Sequence, residues 1–515
     1  MSTLQGDTSV DVALGVYALG SSAPDRRAIV APDRTVTTYG QLGAVANRIS
    51  NTLRELGLRA GDVVATMLHN SVEHFEVTLA TGQIGVYIVQ MNTHLSPEEA
   101  AYIVADSGAR VLIASIDLAE TLTPVLRDLP TARFVVGGAV AGWGDYSRFR
   151  SGGPDTAPSD RTAGRIMGYT SGTTGRPKGV RRELPSLQPE VVIGAAGSAL
   201  GTFGLRPGHG VHLVCSPLYH TAPGYFALNA LHLGHSLVLH EIFDAENVLR
   251  AVEEYRVTST HMVPTHVHRI LGLPAEARDG YDLSSLETIL VAGAPFAPQA
   301  KRTLIDLLGP VVWEYLGSTE GMVCSVSPPE ALEHPGTVGK PADVKILDEA
   351  GNPVPAGEGG KIYFSVAHAP FRYHNDREKT AAAVRPDGYA TVGDLGRLDD
   401  DGYLYLLDRR DDLVISGGVN IYPAEVEQHL IGHPAVADVA VIGVADPEWG
   451  QRVVAVVEPV PGSAPEQELG TELDQYCRAV LSSQKCPRRY EFRTPLPRTE
   501  TGKLLRRLIR QEIGG

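Results

Sequence analysis

Cysteine is scarce in this chain of 515 residues: Cys215, Cys324, Cys477 and Cys486 form no CxxC pair and show no zinc-ligand spacing. This fits a reducing compartment without a disulfide framework, and structural thiols are expected. Basic charge is also short. The chain has 45 Lys and Arg against 60 Asp and Glu, a formal net charge of −15, whereas binding a nucleic-acid backbone needs a basic surface. No nucleic-acid partner is expected. No apolar run approaches the roughly 18 residues of a membrane span, so integral membrane association is not expected either. The N-terminus, MSTLQGDTSVDVALGVYALG, has no basic region before its apolar residues and carries two aspartates. Neither a secretory signal nor a transit peptide fits, which makes a cytoplasmic location the expectation. Repeats with a period of about 20 to 50 residues are absent, and so is low-complexity sequence.

What remains is ample apolar material, 43% of the chain, in a length that calls for two or more domains. Thr38 and Gln41 have capping-box spacing, and Leu42, Val45, Ala46, Ile49, Leu53 and Leu56 then form one helical stripe that Gly57 ends. Ser96, Pro97 and Glu99 open a second helix, with a stop near Gly108 and an apolar strand from Val111. The same alternation is expected at Tyr281 to Val291, where a polar start leads into ETILV and the tight turn AGAP. Helix followed by buried strand makes the fold class α/β. The cluster Asp408, Arg409, Arg410, Asp411, Asp412 suits a solvated joint. Beyond it the chain reads as a small unit of its own, with a helix marked by Val426 and Leu430, strands in VADVAVIGVA and VVAVVEPV, and a helix from Glu472 to Leu481.

The densest chemical signal is YTSGTTGRPKGV, Tyr169 to Val180. Hydroxyl side chains and glycine-freed amides ending on a lysine suit a polyphosphate cradle. A Walker A loop would need Gly-Lys-Ser/Thr opening into a helix; here Pro177 and Gly179 flank Lys178. The preceding Arg165 to Met167 would end a strand.

This loop resembles the signature of the adenylate-forming superfamily, which contains acyl-CoA synthetases, luciferases and peptide-synthetase adenylation domains. Further motifs follow in the family's order over nearly the whole chain. The resemblance implies a large N-terminal multi-layer α/β domain, residues 1–408, a hinge at 409–412 and a small mobile C-terminal α+β lid, 413–515. It implies that Thr170, Ser171, Gly172, Thr173, Thr174 and Lys178 hold ATP phosphates. In SPLYHTAPG, His220 matches the histidine that gates the acyl pocket, with Tyr219, Thr221, Gly224, Tyr225 and Leu228 as further lining. The small residues there hint at room for a bulky acid. AGAP implies that Gly293, Ala294 and Pro295 lie beside the adenine. EYLGSTEG matches a further family motif, and the resemblance implies that Tyr315, Leu316, Gly317 and Ser318 continue the nucleotide site, that Thr319 contacts the α-phosphate and that Glu320 holds Mg²⁺. The family usually has an aromatic ring where Leu316 stands, and loss of that stacking would weaken nucleotide binding by roughly 1 to 3 kcal/mol. Asp394 and Arg409 match ribose and phosphate contacts, Asp411 the hinge residue, Gly417 and Gly418 the CoA tunnel, and Lys503 in PLPRTETGK the mobile lysine of adenylate formation.

The implied protein is an acyl-CoA synthetase: a carboxylic acid attacks MgATP to give an acyl-adenylate, and CoA then takes the acyl group. Loading of a carrier protein, a luciferase-like oxygenase, a specialist for preformed acyl-adenylates and a silent AMP or acyl-CoA sensor are the alternatives. The acid stays open among aryl, fatty, terpenoid and steroid classes. A homodimer is the default assembly for an enzyme of this size. The histidines of HMVPTHVH and His232, His235 and His240 have no Cys or carboxylate to complete a metal set. LDDDG at Leu398 to Gly402 reads as a turn between strands.

Overall fold

Thr38 caps the helix Tyr39–Glu55 with the reciprocal Gln41 bond of a capping box, and the stripe from Leu42 to Leu53 is buried. Leu56 departs from the expectation: it falls just past the last turn and is 41% exposed. Ser96 and Glu99 form the second capping box, on Pro97–Ser107, and Gly108 closes that helix at φ 66, the left-handed region where glycine carries no steric penalty. These helices belong to a computed structural model that describes residues 15–170, 177–409, 412–416, 419–447, 449–498 and 504–513.

The chain forms two compact units that do not follow sequence order. The first runs to His261 and adds Pro274–Ile289 and Phe371–Arg377; the second comprises Met262–Leu273, Leu290–Pro370 and the chain from Glu378. In the first unit, six strands in the order Gly144–Asp145, Ala132–Val136, Ala109–Ser115, Val63–Met67, Tyr87–Gln90 and Arg165–Ile166 pair in parallel. Val63, Ala65 and Met67 face one core while Val64 faces another. Burial on both faces explains why the inner strands Ala109–Ser115, Val63–Met67 and Tyr87–Gln90 are dominated by apolar residues. In a second sheet Val211–Val214 lies parallel to Ser236–Leu239, which is parallel to Arg27–Val30.

The second unit carries the antiparallel pair Val312–Ser318 and Gly321–Val326, and a sheet ordered Val344–Leu347, Gly360–Ser365, Asp394–Leu398, Leu404–Arg409. Its C-terminal sheet is built on the long pair Val436–Asp446 and Gly450–Pro459. Val439 and Val441 pack with the helices Pro423–Leu430 and Glu466–Arg478, whereas Ala440 and Ile442 pack with Ile509 of the helix Arg506–Ile513. The period of two sends alternate side chains to opposite layers.

Two expected elements differ. Glu466–Arg478 begins and ends earlier than Glu472 to Leu481. The polar start at Tyr281 forms no helix, because Asp282 accepts from the Ser284 amide at 3.0 Å and offers the backbone a local alternative; only Thr288–Val291 is a strand. The turn in LDDDG is as expected: Asp399 accepts from the amides of Asp401 and Tyr403 at 3.1 and 2.8 Å. The four cysteines are buried and unbridged, and burial raises the Cys215 thiol to about 11.

Candidate active site

In the first unit the strands Gly168–Thr170 and Lys178–Arg181 pair antiparallel, with Thr170 directly opposite Lys178. They are the two ends of the glycine-rich loop, whose Ser171, Gly172, Thr173 and Thr174 lie outside the described residues. The third strand of this small sheet, Arg372–Tyr373, comes from far along the chain, and its Tyr373 ring lies 5.5 Å from the Lys178 ammonium. Such a cation–π contact holds the lysine without neutralising it. Gly179 pairs with Tyr169, and a Cβ there would meet the tyrosine ring at 2.9 Å. The glycine after the lysine is thus explained by an aromatic ring lying across it. Sequence reasoning had no signal for Tyr373, which is brought here by the detour of Phe371–Arg377 into this unit.

His220 occupies the N-cap of the helix Thr221–His232, accepts from the Gly224 amide at 3.1 Å and has its ring 4.5 Å from that of Tyr219. Phe226, Ala227, Ala230 and Leu231 are the core face of this helix. Thr221, Tyr225 and Leu228, at helical spacing, form a less buried face, with Tyr225 38% exposed. Gly224 does not leave room for a bulky acid as its size suggests: a Cβ there would come within 2.7 Å of the Leu218 carbonyl, so the backbone fills the space. His261 stacks on Phe226 at 5.6 Å, and burial presses its pKa to about 3.

In the second unit, Gly293 takes φ 91 in the turn that leads to Ala294 and Pro295. The strand Val312–Ser318 presents Glu314, Tyr315, Leu316, Gly317 and Ser318 in sequence. Leu316 is half-buried and packs on Cys324, Val338, Ile346, Ile362 and Leu404, while Tyr315 is buried. A register shift between Leu316 and Gly317 delivers the chain to Thr319 and Glu320, which close the turn to Gly321. The Glu320 amide donates to Ser318 Oγ at 3.2 Å, and the residue is only 6% exposed. Upstream, Glu314 forms a buried ion pair with Lys301 of the helix Pro298–Leu308. Burial raises the Glu314 pKa and the lysine opposes that rise. Lys301, which the motif reading missed, also donates to the Thr337 carbonyl at 3.5 Å.

Asp394 and Arg409 are opposite each other in the ladder of Asp394–Leu398 with Leu404–Arg409. Of the remaining expected residues, Asp411, Gly417, Gly418 and Lys503 lie outside the described residues. The flanks of the Lys503 segment are joined: Arg498 and Leu504 form an antiparallel bridge, and the Leu505 amide donates to the Pro497 carbonyl at 2.9 Å. Arg498 is bidentate on Asp438, with both bonds at 2.6 Å.

The hairpin that ends in Thr170 and Lys178 belongs to the first unit, and the Glu320 turn and the ladder setting Asp394 opposite Arg409 belong to the second. The family model for AMP-binding enzymes matches residues 19–369, and that for the AMP-binding enzyme C-terminal domain matches 425–503. The chain belongs to this adenylate-forming family and has its fold, a large N-terminal α/β domain with a smaller C-terminal domain. It is 36% identical to a feruloyl-CoA synthase of Amycolatopsis sp over 513 residues, covering 96% of this chain and 99% of that protein. It is 34% identical to a 2-succinylbenzoate–CoA ligase of Bacillus licheniformis, covering 94% and 96%. The solved anthranilate CoA ligase AuaEII in complex with anthranoyl-AMP superposes with a TM-score of 0.85 at 28% identity, covering 97% of each chain.

Proposed function

We propose that the protein is an ATP-dependent, AMP-forming acid–CoA ligase acting on an aryl carboxylic acid. The observation that carries the reading is the register of Thr170 against Lys178, which sets a hydroxyl and an ammonium at the two ends of a glycine-rich loop. That donor set suits the phosphates of ATP. The relatives named for ferulate, 2-succinylbenzoate and anthranilate support the aryl class, and the accessible Tyr225 face gives a flat ring a surface to stack on.

In the first step the substrate carboxylate attacks the α-phosphorus and pyrophosphate leaves. Thr170, Lys178 and the loop hydroxyls hold the departing phosphates, Thr319 bonds the α-phosphate, and Asp394 with Arg409 anchors the ribose. Glu320 is the residue to hold Mg²⁺: a buried carboxylate beside a polyphosphate fits an ion that takes few protein ligands and keeps phosphate and water oxygens. Bound there, Mg²⁺ would offset negative charge on the phosphates. Lys503 stabilises the developing charge of this step only. In the second step the lid turns about Asp411, the Gly417–Gly418 face replaces Lys503, and the CoA thiol attacks the acyl carbon to release AMP. His220 and its neighbours hold the acid throughout. The reagents and the unbridged thiols suit the cytoplasm, and a homodimer is the assembly to test by light scattering.

Lys503→Ala tests the reading. It should abolish ATP–pyrophosphate exchange while thioester formation from a supplied acyl-adenylate continues, and equal loss of both steps would refute the domain alternation. Leu316 favours a second reading, a specialist for preformed adenylates, because an aliphatic side chain packed on its own sheet stacks less well on adenine. Wild-type protein without exchange activity for any acid would select it.

A further inference from the structure

Asp106 sits near the end of the helix Pro97–Ser107, in no recognised motif, and is bonded by two chain segments that meet the phosphate-loop hairpin. Its carboxylate accepts from the Tyr169 hydroxyl at 2.6 Å and from Asn375 Nδ2 at 3.3 Å. Its carbonyl accepts from the same Asn375 Nδ2 and from His374 Nε2, each at 3.0 Å. Tyr169 immediately precedes Thr170, and its ring covers Gly179. The His374 amide donates to the Gly179 carbonyl at 2.7 Å, and His374 Nδ1 takes a contact from Arg181 at 3.5 Å. Asn375 holds φ 54, a left-handed conformation that asparagine tolerates better than most residues. One half-buried side chain thus ties a helix, the first strand of the hairpin and the detour segment that supplies Tyr373 beneath Lys178.

We propose that Asp106 is a positioning residue for ATP: through Tyr169 and Asn375 it fixes the spacing of Thr170 and Lys178 before nucleotide arrives. The proposal rests on the reading of the glycine-rich loop as a phosphate cradle. Pre-formed spacing lowers the ordering cost of binding, so its loss falls on ATP affinity and not on the transfer of acyl groups to CoA. Asp106 touches neither nucleotide nor acid in this role.

The experiment is calorimetric titration of MgATP into wild type, Tyr169→Phe, Asp106→Ala and Asp106→Asn, with KM for ATP and thioester formation from supplied acyl-adenylate measured in parallel. Tyr169→Phe removes one hydroxyl and keeps the ring over Gly179. It should weaken ATP binding about tenfold, the scale of one hydrogen bond to a charged group. Asp106→Ala should weaken it further, and Asp106→Asn, which keeps an acceptor, should recover most of the loss. Thioester formation from the adenylate should be unchanged in all three. Equal ATP affinity in wild type and in folded Tyr169→Phe and Asp106→Ala would overturn the positioning role. Equal losses in both half-reactions would also overturn it, marking a general structural part. Wild type that binds no ATP would instead bring down the underlying reading of the loop.

Discussion

Arg506 donates to Asp412 at 3.1 Å and to Glu427 at 2.6 Å, both partners being less than a fifth exposed. Arg510 reaches the other Asp412 oxygen at 2.9 Å. Asp412 immediately follows the proposed hinge residue, and Arg506 lies just beyond Lys503. These pairs fasten Asp412 to the helix Arg506–Ile513, and in the proposed mechanism they would make rotation at the hinge carry the lysine segment with it.

Breaking this fastening has a measurable cost. Asp412→Ala strips two arginines of an acceptor at a partly buried place, and a loss of about 1 to 3 kcal/mol in unfolding free energy is expected. A double-mutant cycle with Arg506→Ala isolates the pair. A coupling near zero would show that Glu427 alone holds the helix.

Gly179→Ala should lower stability by about 1 to 3 kcal/mol, because the new methyl group meets a ring that Asp106 prevents from moving aside. The same substitution in a Tyr169→Ala background should cost little. Denaturant melts of the four proteins decide it, and additive effects would count against the packing explanation.

Acid should unfold the protein steeply. His74, His212, His232 and His261 are buried, and burial lowers each pKa from 6.5 to about 3. Geometry agrees for two of them: the Val16 amide donates to His232 Nδ1 at 3.2 Å, and the Gln90 amide nitrogen lies 2.9 Å from His74 Nε2, positions for an unprotonated ring nitrogen. Since the folded pKa is depressed, each contributes stability that is present above pH 6.5 and lost as pH falls toward 3. With four protons taken up on unfolding, the slope should approach roughly 5 kcal/mol per pH unit below pH 6. Chemical denaturation at a series of pH values measures it, and a slope of one proton or less would mean the rings already titrate in the folded state.

Lys301 and Glu314 show how much of the candidate site was legible beforehand. EYLGSTEG was readable as a motif, whereas its strand and the turn after it came from the structure. Nothing near Lys301 marked it as the buried partner beneath that strand. The tight turn at Gly293 was readable from AGAP, and the residue takes φ 91 there, whereas the small size of Gly224 misled, since the packing of Leu218 against it comes from the folded chain.

By itself the sequence determined what acts over a few residues: the two capping boxes, the short apolar runs that form strands, the glycine stop at Gly108 and the order of the family motifs. Those signals are local because hydrogen bonds at helix ends and side-chain periodicity depend on neighbours three or four positions away. Only the tertiary structure decided the partners of Asp106, Lys301 and Asp412. Asp106 meets Asn375 across 269 residues, and a charge or hydroxyl paired over such a distance leaves no period or spacing to read. Folding selects these pairs because a buried polar group left alone is costly, and which groups become buried together is a property of the packed chain.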